Sequence, residues 1–87
     1  MPTAFIPPPL QGLTGGRATV QVEGASVGEV VENLERLWPG LRERLVEGDR
    51  LRAHIRVAVD GRVSMLGLLE RVSATSEIHF VAAVSGG

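Results

Sequence analysis

The 87-residue chain contains no cysteine. Disulfides therefore supply none of its stability, and thiolate metal sites and a nucleophilic thiol are both excluded. Lysine is absent as well, so every Lys/Arg position is arginine and no side-chain amine exists for isopeptide links between copies. No apolar run approaches the roughly 20 residues needed to span a bilayer. Met1 to Leu10 lacks a basic region followed by an apolar one, so nothing there resembles a secretory signal. The expected location is cytoplasmic. An excess of one charge is lacking too: nine basic and ten acidic residues give a formal −1. That balance exerts no broad pull on nucleic acid or an anionic membrane, and neither is an expected partner.

What is present is a single domain with an ordinary apolar fraction, 44%. A chain this short has little room for both a core and a deep catalytic cleft, which favours a binding module or carrier over an enzyme. Thr3-Ala4-Phe5-Ile6 reads as an opening strand, stopped by Pro7-Pro8-Pro9, which cannot donate ladder hydrogen bonds. Gly15-Gly16 marks a turn. Arg17 to Glu23 alternates, with Ala18, Val20 and Val22 on the buried side, and completes a hairpin.

The clearest helix follows. Ser26 is a good N-cap and Glu29, three residues on, completes a capping box. Val27, Val30, Val31, Leu34, Leu37 and Trp38 make one apolar face, with Trp38 as a core anchor at the helix end. Pro39-Gly40 breaks the helix, and Leu41, Leu45 and Val46 indicate a further short helical turn. Gly48 to Ala53 reads as an arginine-rich connection. His54 to Val59 alternates with Ile55, Val57 and Val59 inward, and Asp60-Gly61 signals a tight turn. Met65 to Val72 is too short for a full helix and reads as a helical turn or irregular crossing. Glu77 to Val84 is a last strand, with Ile78, Phe80, Ala82 and Val84 alternating against Glu77, His79, Val81 and Ala83. The order ββαββ is that of an α+β ubiquitin-like β-grasp: a mixed sheet packed on one main helix, its first and last strands parallel in the middle. An RRM-like or ferredoxin-like fold would need a second full helix. The expected boundaries are a domain over 1–84 and a flexible diglycine tail over 85–87.

Conventional sites are not visible. His54 and His79 fall in separate strands without a third ligand, so a solvent-facing or sheet-edge role is expected for each, and no metal site. Gly12, Gly15 and Gly16 lack the Lys-Ser/Thr of a phosphate loop and join two strands instead of a strand and a helix. Glu32, Glu35, Glu43, Glu47 and Asp49 read as the solvated side of a helix and its exit, with a basic partner as the lesser option. The last residues differ. The final strand runs into Ser85-Gly86-Gly87. At average glycine usage, two glycines at one fixed position arise by chance in about one chain in 200. Without Cβ atoms such a pair threads a narrow channel and leaves the Gly87 carboxylate open to nucleophiles. A carboxylate acylates only after activation, and the chain shows no nucleotide site, so activation falls to another protein.

These residues resemble the ubiquitin-like small sulfur carriers of the MoaD/ThiS type. The likeness covers essentially the whole chain. It runs through Phe5-Ile6-Pro7, Thr14-Gly15-Gly16, the Ser26 to Trp38 helix, Pro39-Gly40-Leu41-Arg42-Glu43-Arg44-Leu45, Ile55 to Gly61, and Phe80-Val81-Ala82-Ala83-Val84-Ser85-Gly86-Gly87. The proline-rich opening through Leu10 looks most like the cysteine-biosynthesis carriers. The resemblance implies that an E1-like enzyme adenylates Gly87 with ATP and magnesium, that a thiocarboxylate follows, and that a sulfur-accepting synthase takes the sulfur. It also implies that Ser85 and Gly86 form the tail, that Phe80, Val81, Ala83 and Val84 belong to a partner-docking surface, and that the protein is a co-substrate with no bound cofactor. A ubiquitin-like modifier joined through Gly87 to lysines of targets, or a passive β-grasp interaction module, would fit the same residues.

Overall fold

The computed structural model describes residues 1–82. Its main sheet has five strands in the order β2-β1-β7-β5-β6. These are β1 (Thr3–Phe5), β2 (Thr19–Gln21), β5 (Ile55–Val59), β6 (Arg62–Val63) and β7 (Glu77–Ala82). β1 and β7 run parallel at the centre, in register Phe5↔His79. All other pairs in the sheet are antiparallel. The β-grasp expected from the sequence is the fold observed, and the stretch before β7 holds only a short 3₁₀ turn, Gly67–Leu69.

The main helix, α1 (Val27–Leu37), begins as its residues dictate. Ser26 Oγ accepts the Glu29 N–H at 3.2 Å, and Glu29 Oε1 reaches back to accept the N–H of Ala25, one residue before the N-cap, at 3.0 Å. Val27, Val30, Val31 and Leu34 are buried against Ala4, Val20, Val57, Ile78 and Phe80 in one continuous core. Leu37 departs from expectation. It is 56% exposed, on the margin of the apolar stripe of this last helical turn, while Trp38 packs against the core, as expected of an anchor.

After Gly40, at φ +102°, comes α2 (Leu41–Leu45), whose Leu41 and Leu45 are fully buried. Glu35 caps it. Its carboxylate accepts the N–H groups of Gly40 and Arg42, the latter at 2.9 Å, and these bonds hold its pKa below the ordinary 4.5. Glu32 pairs with Arg42. Part of the acidic surface read as merely solvated thus serves the α1–α2 junction.

Two further elements exceed the expectation. The arginine-rich connection forms a small hairpin, β3 (Val46–Glu47) with β4 (Arg50–Leu51), which takes Val46 out of the helical turn. β-Branched Val46 suits a strand, and Gly48 at φ +67° supplies the turn. The loop after β1 is a 3₁₀ helix, Pro8–Thr14. Proline fixes φ near the 3₁₀ value, and at the first helical positions its missing N–H costs nothing. Thr14, fully buried, has its hydroxyl 2.9 Å from the Arg17 carbonyl and 3.1 Å from that of Gln11. Ala18, expected inside, is exposed because β2 begins only at Thr19.

Candidate functional site: the open sheet face and the end of β7

α1 covers one face of the sheet and leaves the other open. The register aligns Thr19, Phe5, His79, Ala58 and Val63 as one row across all five strands on that open face. Phe5 and His79 stack with ring centroids 3.9 Å apart and planes 12° from parallel. His79 is thus neither at a sheet edge nor free in solvent. It lies in a central strand, half-covered by its aromatic neighbour. His54 precedes β5 and is exposed, as expected. Among the described residues no group of three or more His, Cys, Asp or Glu is placed to hold a metal ion.

One step along β7 the strand alternation separates two residues that the sequence reading grouped together. Phe80 turns into the core and is 3% exposed, so it is chiefly a packing residue, though it borders the groove described below. Val81 faces outward at 41% exposure, opposite Arg56. Only Val81 of that pair stands on the open face. The expectations placed on Ala83, Val84, Ser85, Gly86 and Gly87, and the 84/85 boundary, lie outside the described residues.

The surroundings of the end of β7 were not foreseen. β1 pairs with β7 only as far as Phe5↔His79, whereas β5 continues through Phe80, Val81 and Ala82. The cause lies in Pro7-Pro8-Pro9, whose missing N–H groups cannot extend the β1 ladder. The chain folds away there as the 3₁₀ helix and leaves a groove. Pro7 to Leu10 make one wall, Ile55, Phe80 and Val81 line it, and Arg44, Arg52 and His54 stand along it. The signal available in the sequence was the contrast between a proline stop and the long apolar final strand.

The ThiS family matches residues 6–87. The chain belongs to the ThiS family. Among solved structures, it is similar to a chain of the Amycolatopsis orientalis BexX/CysO complex, with 31% identity, TM-score 0.92 and complete coverage of both chains. It is also similar to Mycobacterium tuberculosis CysO, described as an antigen (26% identity, TM-score 0.89, 97% of this chain and 100% of that one). A third likeness is to SAMP1 from Haloferax volcanii (30%, TM-score 0.73, 99% and 98%). No curated protein matches by sequence. The fold is thus that of the CysO-like sulfur carriers and the small ubiquitin-like modifiers, and among the described residues no helix is long and apolar enough to cross a membrane.

Proposed function

We propose that the protein is a sulfur carrier whose reacting group is the carboxylate of Gly87. The observation that carries this is the sequence Ser85-Gly86-Gly87, two residues beyond β7, in a chain whose family match runs through residue 87. An E1-like partner joins the carboxylate to AMP from ATP, releasing pyrophosphate. A sulfide-level donor then displaces AMP: the acyl C–O bond to phosphate breaks and a C–S bond forms. The thiocarboxylate sulfur then attacks an acceptor held by a synthase, displacing the acceptor's leaving group. Water cleaves the acyl C–S bond and restores the Gly87 carboxylate. Cysteine biosynthesis is the favoured route, as the likeness to CysO supports. The chain is a co-substrate in this cycle, and the nucleotide and magnesium belong to the activating enzyme.

Intact mass spectrometry of the protein incubated with the activating enzyme, ATP and a sulfur donor tests the reading. Replacement of one oxygen by sulfur at Gly87 is the expected result, and deletion of Gly87 should abolish it while leaving the fold unchanged. A free carboxylate as the sole species would refute it. One observation favours a second role as a protein modifier: the likeness to Haloferax volcanii SAMP1, a small archaeal modifier protein. A branched peptide joining Gly87 to a target lysine would reveal it. The absence of lysine in this chain restricts that chemistry to other proteins.

A further inference from the structure

The formal charge of −1 conceals a local cluster of cations beside the groove. At the end where β7 finishes stand Arg44, Arg52, His54 and Arg56, with Glu43 as the acid lining the same groove. At the opposite end the signs are mixed, with Asp60 and Glu70 beside Arg62 and Arg71, and Asp60 Oδ1 accepts the Glu77 N–H at 2.9 Å. The basic end is poorly neutralised from within. Among the described residues Arg44 makes no ion pair, and Arg52 donates through Nε to the Glu43 carbonyl at 2.7 Å, leaving its two Nη groups without a protein acceptor. These cations border an apolar groove, with Pro7 and Leu10 on one side and Ile55 and Val81 beside them.

An apolar groove edged by unpaired guanidinium groups matches a segment that brings both a hydrophobic side chain and carboxylates. Planar guanidinium groups suit carboxylates in two-pronged hydrogen bonding, and the partly enclosed groove strengthens such pairs relative to open solvent. We propose that this groove docks an acidic segment of the partner that handles the tail, with Arg44 and Arg52 engaging its carboxylates and the Pro7/Ile55 surface seating one apolar residue. The identity of the partner rests on the carrier reading above; the acidic chemistry of the segment rests on the groove alone.

The two are tested separately. The full chain is titrated, by NMR, with a synthetic peptide of four glutamates around one leucine, capped at both ends. The expected shifts fall on Arg44, Arg52, His54 and Val81, with Arg62 at the other end of the sheet unmoved. Arg44→Glu should weaken the peptide about tenfold, because the reversal removes an attraction and adds a repulsion at the exposed rim. Binding of the unaltered protein should also weaken as salt rises from about 50 to about 300 mM, as screening shortens. With the activating enzyme, Arg44→Glu should raise KM for the carrier at unchanged kcat, and Arg62→Glu should change neither. Equal shifts at Arg62, an unaffected Arg44→Glu variant, or preference for a single-stranded oligonucleotide over the peptide would each overturn the proposal. Peptide binding in the groove without any thiocarboxylate would sink the carrier reading and leave the groove standing.

Discussion

Replacing Phe80 and Val81 one at a time separates a packing residue from a docking residue within two consecutive positions of β7. Phe80 is 3% exposed and belongs to the buried cluster under α1, so Phe80→Ala removes a ring from a close-packed site and leaves a cavity. Such truncations cost about 3–5 kcal/mol. The whole stability of an 87-residue domain is about 4–13 kcal/mol at ordinary values per residue, so the loss is a large share of the total. At about 4–8 °C per kcal/mol, Tm should fall by about 12–40 °C. Val81 is 41% exposed, and Val81→Ala should cost no more than about 0.5–1 kcal/mol.

Urea unfolding of the full chain, followed by circular dichroism, gives both numbers from the midpoint and slope. Should the alanine variant fail to fold, Phe80→Leu keeps most of the volume and should cost less than about 1.5 kcal/mol while preserving the order of effects. Partner kinetics complete the comparison: Val81→Ala raises KM for the carrier without unfolding it, and Phe80→Leu, at an almost wholly buried position, acts mainly through stability. A cost below about 1 kcal/mol for Phe80→Ala, or a larger one for Val81→Ala, would refute the assignment of faces.

Gly24 stands at φ +153°, and a Cβ there would lie 2.7 Å from Val30 Cγ2 and 2.8 Å from the Val30 backbone nitrogen. Gly24→Ala should therefore cost about 1–3 kcal/mol, read as a lowered Tm, and an unchanged Tm would discard the argument. Glu35 is bound more tightly as a carboxylate in the folded state, so its pKa is lowered on folding, first by the Arg42 N–H and then by the Gly40 N–H. A lowered folded pKa means its contribution is present above the ordinary 4.5 and is lost as pH falls below it. Unfolding curves of the protein and of Glu35→Gln should accordingly converge in acid, and parallel curves across that window would contradict the sign. Thr14→Val leaves the Arg17 carbonyl without its hydroxyl partner in a buried site, a cost of about 1–3 kcal/mol in the same assay. Thr14→Ser should recover most of it, and equal losses in both variants would point to packing instead.

Elements that depend on local chemistry were legible in the sequence. Ser26 and Glu29 announced the start of α1, and Asp60-Gly61, at φ +51° and +86°, made the two-residue turn their residue types indicate. What escaped depended on tertiary context. The alternation Phe80/Val81 was visible, but which face α1 would cover was not, and so both were assigned to one surface. Glu35 looked like any exposed helix carboxylate, because its role is set by where Gly40 and Arg42 are brought back to it. The balance of charge misled in the same way. Arg44, Arg52 and Arg56 are spread over 13 positions of chain, and only the fold gathers them at one end of β7.

The placement of β7 bears directly on how a tail beyond it can be used. An edge strand pulled from its end peels away one hydrogen bond at a time. β7 is instead held on both flanks at Ile78 and His79, by β1 and by β5, and Ile78 is completely buried there. From Phe80 onward the restraint is one-sided: β5 pairs through Ile55↔Ala82, and the proline run has already taken β1 away. The strand is thus anchored where force would otherwise unzip the sheet, and opened on one side where a partner must approach. A longer β1 would strengthen the sheet but fill the groove, covering Val81 and separating the apolar wall from Arg44 and Arg52. On this argument Pro7-Pro8-Pro9 serves access to the end of β7 as much as it serves the turn.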